Sequence, residues 1–520
     1  MTSTEPPGAT EPVNPLIHRA VAAQARLRPG ATAIFFREER IDYRTLDAAA
    51  EHLAGQLAAH GVGPGTVVPV RMPRTPQLVA VLLAVLKCGA AYAALDHRWP
   101  AERIDGLLEQ LRPPVFVSAD DHPGSPATAP ARWQPPTDPL PAVAALGGSA
   151  PEVELDPAAP ASVFFTSGTT GTPKGVVSPH RATTRLFGPG GLRGYGPQGV
   201  TTQAAPCPWD AFSLEVWGML TTGGAIVVVE EDYLLPGALR DVVKSAGVDT
   251  VFLTTTLFNL FVDMDPDCFL GTRQVFTGGE RNSTDHIGRF LARHPGIALF
   301  HVYGPVESCV YATEHRIRPA DCETPGGVPI GRAVAGTGVH VLDGERVCAP
   351  GEEGEICVSG DGLAVGYLGL PELTAQKFPE VTVAGERLRV YRTGDLGFVD
   401  AEGALHFRGR ADRQVKVRGH RIEPGEIETA ATRIEGVRRC TVVPVPGRTT
   451  AWERLALFYT ADPLDPSAAD AADPVGVTAE LGRVLPPYLV PDAVLAVPDF
   501  PLTANGKIDN AALLGLLPPA

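Results

Sequence analysis

The sequence predicts an α/β protein, α+β overall, with a large N-terminal domain of β-sheets packed with helices and a small C-terminal α+β domain. First, short β-branched runs alternate with helix-length segments, as crossover connections between parallel strands require; the runs lie at 115–117, 225–229, 248–253 and 297–302. Second, 520 residues with 44% hydrophobic content can bury a large core that divides into more than one domain. Third, a loop-like, Ala-rich stretch at 461–476 lies inside the small C-terminal part.

Local patterns predict the individual elements. Residues 79–86 are continuously apolar and predict a buried helix, and residues 88–96 predict a turn that leads into a strand. Residues 161–165 also read as a strand. Between residues 113 and 160 the chain is crowded with Pro, Ala and Gly, which predicts a long surface excursion without a helix or a central strand.

Charge, cysteine content and the N-terminus narrow the classes of function. A net charge of −15 repels phosphate backbones and anionic lipid, so we expect no nucleic-acid partner and no membrane partner. The eight cysteines are scattered, without a Cys-x-x-Cys pair, and read as reduced structural thiols. The N-terminus lacks the features of a signal peptide, and the longest apolar stretch, at 78–87, is too short to span a bilayer. A cytoplasmic location is the expectation.

The strongest single signal is the segment at 166–175, Thr-Ser-Gly-Thr-Thr-Gly-Thr-Pro-Lys-Gly, which follows the strand at 161–165. Hydroxyls, a lysine and glycines that let backbone amides approach closely together supply donors for several phosphate oxygens. No Gly-Lys-Ser/Thr closes the segment, so it is not a Walker A loop. A flexible linker is the alternative, but linkers rarely carry Pro-Lys-Gly at the end of a buried strand. The segment therefore predicts a phosphate-binding loop.

Further motifs follow in a fixed order along nearly the whole chain, at 41–46, 86–95, 209–213, 302–307, 354–368, 391–396, 409–428 and 501–509. Together with the phosphate-binding loop, they resemble the core motifs of the adenylate-forming superfamily, which includes acyl-CoA synthetases, luciferases and the adenylation domains of nonribosomal peptide synthetases. The resemblance implies that superfamily's adenylating-enzyme (ANL) fold. It divides the chain into an adenylation core at 1–411, which binds ATP and an amino acid, and a mobile C-terminal lid domain at 412–520.

The implied reaction is attack of a carboxylate on the α-phosphate of ATP. It brings anions together, so the site must supply cations, hydrogen-bond donors and a metal. The resemblance implies that Lys507, in the lid domain, bridges the substrate carboxylate and the nucleotide. It also implies that Glu307 holds Mg²⁺, a hard cation that prefers oxygen ligands, and that Lys174 assists catalysis. The implied cofactors are ATP and Mg²⁺.

The same motifs imply a set of ATP contacts. Tyr303 is expected to stack on adenine, and Asp395 to accept from the ribose hydroxyls with Arg410 nearby. Asp412 is the expected hinge of the lid domain. The remaining expected ATP contacts are Thr166, Ser167, Gly168, Thr169, Thr170, Gly279, Glu280 and Gly304.

The resemblance also marks the positions that select the substrate. In amino-acid-activating members, the residue that matches Asp210 pairs with the substrate ammonium, which favours an amino acid over a plain acid. Large apolar residues at the other positions predict a small apolar cavity for a short aliphatic side chain. The expected pocket residues are Asp210, Ala211, Leu214, Phe252, Phe276, Gly278, Val302, Val310 and Tyr311.

The chain is similar to free-standing enzymes that load β-amino acids onto carrier proteins for macrolactam polyketides in actinobacteria. No carrier-type module follows Lys507, so the resemblance implies transfer to the phosphopantetheine thiol of a separate carrier protein. A β-amino acid is the first expectation and a branched α-amino acid the second. An acyl-CoA ligase is the nearest alternative enzyme. A non-enzymatic binding module is disfavoured because both Lys507 and Glu307 are present.

Overall fold

The structure is a computed structural model that describes residues 13–119, 131–168, 173–324, 327–447, 452–461, 473–502 and 508–518. Within these ranges the helices are α1 Ile17–Leu27, α2 Tyr43–Ala59, α3 Pro76–Lys87, α4 Ala101–Leu111, α5 Leu140–Ala145, α6 His180–Thr184, α7 Asp210–Thr222, α8 Pro236–Ala246, α9 Thr255–Met264, α10 Thr284–Arg293, α11 Pro371–Lys377, α12 Pro424–Ala431, α13 Pro474–Val484 and α14 Asn510–Leu514. Short 3₁₀ turns lie at Arg185–Phe187, Pro266–Phe269, Val306–Ser308, Pro319–Glu323 and Pro487–Leu489.

The strands of the same ranges are β1 Thr32–Phe36, β2 Glu39–Asp42, β3 Val67–Arg71, β4 Ala91–Leu95, β5 Val115–Ser118, β6 Ala131–Trp133, β7 Pro160–Thr166, β8 Lys174–Pro179, β9 Val200–Gln203, β10 Ala225–Val228, β11 Thr250–Thr254, β12 Gln274–Gly278, β13 Ala298–Tyr303, β14 Thr313–Arg316, β15 Arg332–Ala333, β16 Thr337–Asp343, β17 Arg346–Val347, β18 Gly354–Gly360, β19 Gly366–Tyr367, β20 Glu380–Val383, β21 Glu386–Val399, β22 Leu405–Arg410, β23 Val415–Val417, β24 His420–Ile422, β25 Val437–Pro446, β26 Trp452–Ala461 and β27 Ala493–Ala496.

The strands form four sheets. The nine-stranded sheet has the order β15-β14-β13-β12-β11-β9-β10-β1-β2, and the seven-stranded sheet has the order β19-β8-β7-β4-β3-β5-β6. Their central strands pair in parallel, as the alternation of strands and helices predicts. A six-stranded sheet contains β16, β17, β18, β20, β21 and β22. A five-stranded sheet contains β23 to β27, which all lie in the C-terminal part of the chain. The predicted α/β class is confirmed.

Helices between the two large sheets share one hydrophobic core with both of them. Every residue of α3 except Gln77 is buried, and its first turn is capped by the Thr75 hydroxyl, which accepts from the Leu78 amide. Side chains from both sheets, such as Ile34 and Val70, belong to the same core. The buried helix predicted at 79–86 and the strand predicted within 88–96 are therefore confirmed, as α3 and β4.

The prediction for residues 113–160 was partly wrong. Helix α5 lies within this stretch and packs its Leu140 and Val143 into the core, against the prediction. The strand predicted at 115–117 is confirmed as β5, and the short strand β6 pairs with it at the edge of the seven-stranded sheet. Prolines at the start of α5 are compatible with a helix because the first turn leaves its N–H groups unbonded. Residues 120–130 lie outside the described ranges.

The five-stranded sheet has its own core with α12 and α13. It contacts the larger part of the molecule through a buried ion pair between Arg103 and Glu426, whose side chains are 5% and 1% exposed with a nitrogen–oxygen distance of 3.0 Å. The predicted boundary between 411 and 412 lies in the short segment that joins β22 to β23. None of the helices in the described ranges combines the length and the apolarity needed to cross a bilayer.

Glu215 on α7 should make the stability of the fold pH-dependent. Its carboxyl group is 1% exposed and accepts from the Ala204 and Ala205 amides, and burial raises its pKa to about 8. An acid with a raised pKa contributes stability that is present below its unfolded value and is lost as pH rises through about 8. We expect Glu215→Gln to raise the melting temperature relative to wild type at pH 8 more than at pH 5. An equal difference at both pH values would contradict this account.

Candidate active site

A cavity of about 150 Å³ lies at the carboxyl ends of β7, β11, β12 and β13, where the two large sheets meet the C-terminal segment. Open α/β sheets bind ligands at this end of their strands because backbone groups and loops converge there. The cavity brings together many of the residues predicted from the sequence, which are Thr166, Ser167, Asp210, Ala211, Phe252, Gly278, Gly279, Val302, Tyr303, Gly304, Val310, Tyr311, Asp395 and Arg410.

A second cavity of about 610 Å³ adjoins the first and shares part of its wall. Glu280 and Asp412, which do not line the first cavity, both line the second one. Tyr303, Asp395 and Arg410 line both cavities. The predicted ATP residues therefore extend over two connected spaces between the N-terminal sheets and the C-terminal segment.

The start and end of the predicted phosphate-binding loop are held by β7 and β8, which pair Thr166 with Lys174 in antiparallel register. Lys174 is 9% exposed, and its ammonium lies 5.7 Å from the Tyr367 ring centroid. The Thr166 hydroxyl is buried and has no hydrogen-bond partner in the described part of the chain. Thr169 and Thr170 lie outside the described residues, as does Lys507.

The C-terminal segment closes over this loop. The Ser167 hydroxyl donates to the Arg421 carbonyl at 3.0 Å, and the Gly168 amide donates to the Glu426 carboxylate at 3.2 Å. On the other side of the cavity, the Gly419 amide donates to Glu280 at 2.7 Å. The residues that form these hydrogen bonds between the C-terminal segment and the rest of the chain belong to the predicted motifs, except for Glu280, which is a predicted ATP contact.

Glu307 is fully buried and anionic. Burial alone would raise its pKa, but the Arg421 guanidinium and the Tyr367 hydroxyl hold the pKa below its usual value. The Arg421 guanidinium donates to one carboxylate oxygen at 2.7 Å, and the Tyr367 hydroxyl donates to the other at 2.8 Å. Both oxygens of the predicted metal ligand thus have a protein partner in this arrangement.

Asp395 lies at the junction of the two cavities. Its Oδ2 accepts from the Tyr303 hydroxyl at 2.6 Å, and its Oδ1 pairs with Arg410. Arg410 also donates to Asp412 at 2.7 Å, so the predicted hinge residue is tied to the predicted ribose site. Each carboxylate oxygen can accept more than one hydrogen bond, so Asp395 retains acceptor capacity for a ligand hydroxyl.

Asp210 opens helix α7 at the wall of the smaller cavity. Its carboxylate accepts from the Val310 amide at 2.9 Å. Burial raises its pKa to about 6, and the hydrogen bonds from Val310 and Ala211 oppose that rise. The side chain is only half-buried because one side of it faces the cavity. The Asp210 carboxylate can therefore pair with a cation in the cavity.

Apolar side chains surround Asp210. Phe252 and Tyr311 lie 6.0 Å apart between ring centroids, and Val302 completes that side. At Gly278 an added Cβ would come within 2.1 Å of the Val302 carbonyl oxygen, so the wall has room only for glycine there. The part of the cavity around Asp210 is therefore mainly apolar, whereas the lining elsewhere includes Asp395 and Arg410.

The family AMP-binding enzyme matches residues 21–368 of the chain, and the family AMP-binding enzyme C-terminal domain matches residues 426–507. The chain belongs to the AMP-binding enzymes. These are AMP-forming ligases that use ATP and Mg²⁺. The predicted adenylate-forming superfamily is confirmed.

Two relatives of this AMP-binding enzyme are much larger proteins. It is 33% identical over 510 residues to bacitracin synthase 1 of Bacillus licheniformis, and the match covers 96% of this chain and 9% of that protein. It is 34% identical over 512 residues to malpibaldin synthetase of Mortierella alpina, and the match covers 96% of this chain and 9% of that protein. The chain therefore spans less than a tenth of the length of these relatives.

A solved structure has the same fold as this AMP-binding enzyme over almost its whole length. It is holo-PA1221, an NRPS protein containing adenylation and PCP domains, bound to a vinylsulfonamide inhibitor. The two match with a TM-score of 0.86 at 33% identity, covering 98% of this chain and 85% of that one. The likeness confirms the predicted large N-terminal and small C-terminal parts.

Two predicted pocket residues of the AMP-binding enzyme do not line either cavity. Leu214 and Phe276 have no exposed surface, and Phe276 stacks on Phe300 at 5.1 Å behind the wall. Leu214 lies one turn into α7, and its side chain packs into the core that the helix shares with both sheets. These two residues therefore shape the cavity through the residues in front of them.

Sequence reasoning missed the contribution of the C-terminal segment to the cavity. The sequence leaves the basic run at 413–421 open between a functional and a solvated face, and the structure divides it. Arg413 and Arg418 form surface ion pairs, and Arg413 also lines the second cavity. Lys416 lines both cavities, and Arg421 reaches Glu307. The remaining additions to the wall are Gln414, Gly419, His420 and Tyr488. The position of a residue within the run does not indicate whether its side chain reaches the cavity, because that depends on how the C-terminal segment docks.

An aromatic contact closes the cavity on the side of Asp210. His420 stacks on Tyr488 at 4.1 Å between ring centroids and meets the edge of Trp209 at 4.4 Å. Burial lowers the pKa of His420 to about 3, so its ring is neutral at physiological pH. A neutral stack adds apolar surface to the cavity without adding charge.

Replacing Asp395 with asparagine should weaken ATP binding. The variant loses the carboxylate that accepts from Tyr303 and pairs with Arg410, and with it the strongest acceptor in the predicted ribose site. We expect the KM for ATP to rise roughly 10- to 100-fold, as the loss of a charge-assisted hydrogen bond predicts. Steady-state pyrophosphate release at varied ATP measures it, with the exposed Asp343→Asn as the matched control. An unchanged KM for ATP would remove Asp395 from the nucleotide site.

Proposed function

We propose that the chain activates a small, mainly aliphatic amino acid, with a β-amino acid favoured. ATP and the amino acid react to give aminoacyl-AMP with release of pyrophosphate. The acyl group then passes to the phosphopantetheine thiol of a separate carrier protein, and AMP leaves. The partners are thus the amino-acid substrate and a carrier protein, and the proposed location is the cytoplasm.

The observation that carries the proposal is the carboxylate of Asp210 among the apolar walls formed by Phe252, Val302 and Tyr311. Burial raises its pKa to about 6, and a substrate ammonium at the same wall would restore the ionised form by direct attraction. A plain acid offers no cation, so it would leave this buried carboxylate without a partner. The loss of this ion pair discriminates strongly between substrates, because the unpaired charge of Asp210 stays in a site of low dielectric constant.

The size and composition of the cavity support a short, apolar side chain. Its volume is about 150 Å³, and its walls around Asp210 are Phe252, Val302 and Tyr311. A substrate with a second charge would have to lose its hydration without gaining a partner from these walls. Placement of the amino group at the β carbon rests on the resemblance of the sequence to β-amino-acid-loading enzymes.

In the first step, a substrate carboxylate oxygen attacks the α-phosphorus of ATP, and the bond from that phosphorus to the pyrophosphate oxygen breaks. The charges that meet there need donors and cations on this chain. Lys174 at the end of the phosphate-binding loop and Lys507 of the C-terminal part are proposed to supply them. Tyr303 and Asp395 would hold the adenosine end of the nucleotide.

The residues present fit a magnesium ion. Glu307 is an ionised carboxylate, and the unpartnered hydroxyl of Thr166 is a second hard oxygen donor. We propose that these two residues hold Mg²⁺, which would neutralise phosphate charge as pyrophosphate leaves. Arg421 occupies one oxygen of Glu307 in the present arrangement, so it would move away when the metal binds.

In the second step, the carrier thiolate attacks the acyl carbon, and the bond from that carbon to the AMP oxygen breaks. In the present arrangement of the C-terminal segment, Arg421 pairs with Glu307 and Lys416 lines both cavities, so cations of this segment lie where the anionic adenylate would be bound. We propose Asp412 as the hinge at which the C-terminal domain, residues 412–520, moves between the two steps relative to the core, residues 1–411.

Pyrophosphate release with matched acids tests the proposal. The panel compares 3-aminobutanoate, 2-aminobutanoate and butanoate, which share a carbon chain and differ only in the amino group. We expect release with 3-aminobutanoate above that with 2-aminobutanoate, and none above background with butanoate. Preference for 2-aminobutanoate would show that the substrate is an α-amino acid. Equal use of butanoate would overturn the amino-acid assignment.

Transfer to a thiol distinguishes the carrier-protein proposal from an acyl-CoA ligase. Holo-carrier protein and free CoA are offered to the enzyme with the preferred acid, and intact mass reports acylation of each. Acylation of the carrier protein without acyl-CoA is the expected result. Formation of acyl-CoA alone would replace the proposed partner with the free coenzyme.

A further inference from the structure

The loop that binds Asp210 has an unfavourable backbone. Cys309 and Val310 follow one another with φ values of 48° and 66°, in the left-handed region that side chains other than glycine rarely adopt. Val310 is β-branched, which makes that conformation especially unfavourable. The reversal nevertheless aims the Val310 amide at Asp210, 2.9 Å away. Something outside the loop must therefore hold it in place.

Arg185 is the side chain that spans this reversal. One terminal nitrogen of its guanidinium, Nη2, donates to the Ser308 carbonyl at 3.0 Å and to the Tyr311 carbonyl at 2.6 Å. These carbonyls flank the two left-handed residues, one on each side. The single nitrogen therefore joins the two ends of the strained segment.

The other nitrogens of Arg185 fix the guanidinium itself. Nε donates to the Thr337 hydroxyl at 3.1 Å, and Nη1 donates to the Ala182 carbonyl. Gly362 leaves room for the group, because an added Cβ there would lie 2.4 Å from Nη2. Within the described part of the chain, these hydrogen bonds go to carbonyl and hydroxyl oxygens and none goes to a carboxylate; the Cys309 thiol also interacts with the guanidinium. Arg185 thus acts as a fork that satisfies backbone oxygens, a use that suits a planar guanidinium.

We propose that Arg185 is a positioning residue for the amino-acid pocket: by tying Ser308 to Tyr311, it holds the Val310 amide against Asp210 and fixes the Val310 and Tyr311 walls. The inference rests on the proposed function, because it assigns the cavity beside Asp210 to the amino acid. Arg185 lines neither cavity, so it acts through the loop and does not touch the substrate.

The test is the kinetics of Arg185→Met, measured as pyrophosphate release at varied amino acid and at varied ATP. A displaced loop should raise the KM for the amino acid roughly 10- to 100-fold, the effect expected from a misplacement of about 1 Å. The KM for ATP should change less, because Tyr303 and Asp395 are held to each other by a side-chain hydrogen bond in which Arg185 takes no part. Arg181→Met, at a half-buried arginine one turn earlier, is the matched control.

Cys309→Gly provides the decisive second variant. Glycine adopts the left-handed conformation without penalty, so the loop needs the fork less. Cys309 is buried and its thiol pairs with the Thr183 hydroxyl at 3.4 Å, so Cys309→Gly alone is the reference for the loss of that side chain. In the double variant that combines Arg185→Met with Cys309→Gly, the KM for the amino acid should fall most of the way back to the wild-type value. Failure of this rescue, or equal increases in the KM for ATP and for the amino acid, would overturn the proposal.

A merely structural role gives a different pattern. It predicts a lower melting temperature for Arg185→Met with the amino-acid KM unchanged, and that result would also overturn the proposal. Failure of the proposed function is visible separately, as equal use of plain and amino acids by the wild-type enzyme.

Discussion

Asp210→Asn is expected to lower kcat/KM for the amino-acid substrate by roughly 100- to 1,000-fold, the range that follows from breaking a buried charge pair. The carboxylate is the acid that faces the apolar part of the cavity, between Phe252 and Tyr311. Asparagine keeps its shape and its hydrogen bond from the Val310 amide but carries no charge. The KM for ATP should stay within a few-fold of wild type, because the nucleotide residues are separate.

The pH dependence provides an independent check of the same residue. The pKa of Asp210 is raised to about 6, so the carboxylate gains its charge as pH rises through that value. For the wild-type enzyme, the KM for the amino acid should therefore rise as pH falls from 7 to 5. Asp210→Asn should lack this dependence, whereas the exposed Asp241→Asn should retain it. If wild type and Asp210→Asn showed the same pH dependence of the KM for the amino acid, the titrating group would be a residue other than Asp210.

Lys507→Ala is expected to slow adenylate formation by roughly 100- to 1,000-fold, as removal of one preorganised charge at the transition state predicts. Lys507 lies outside the described residues, and its role is carried by the motif at 501–509. The neighbouring residues are placed: Leu502 and Ile508 pair in antiparallel fashion, and Asp509 caps α14 through the Ala512 amide.

The two half-reactions separate this role from a general loss of folding. Single-turnover adenylate formation should fall in Lys507→Ala, while transfer of a preformed aminoacyl-AMP to the carrier thiol should proceed at nearly the wild-type rate. Lys244→Ala, at an exposed position on α8, is the control lysine. Equal losses in both half-reactions would contradict a role confined to adenylation.

Much of the fold was predictable because its signals are local. The all-apolar run that became α3 and the β-branched runs that became β5, β11 and β13 need no knowledge of their neighbours. Helix α5 escaped prediction because prolines at a helix start resemble those of a loop. Asp210, Tyr303 and Asp395 were predicted for the site because their motifs are contiguous in sequence, and the structure brings them to one cavity.

The parts of the site that were not predicted depend on long-range docking. Arg421 and Lys416 reach the cavity only because the C-terminal segment packs on the loop at Ser167 and Gly168. Arg185 is more than a hundred residues from the loop that it ties, and an arginine after a short helix carries no sequence signal of that task. The contact of Arg421 with Glu307 likewise follows from the docked arrangement, and the Tyr-Gly-Pro motif that precedes Glu307 gives no signal of it.

The central claim is that the carboxylate of an amino acid becomes the acyl group of an adenylate in this cavity. Isotope transfer tests it most directly. The enzyme is given ATP, Mg²⁺, holo-carrier protein and 3-aminobutanoate with both carboxylate oxygens replaced by ¹⁸O, and the AMP released is analysed by mass spectrometry. The account predicts one labelled oxygen in AMP, formed only when the amino group is present and not with labelled butanoate. Unlabelled AMP, or equal labelling from butanoate, would contradict it.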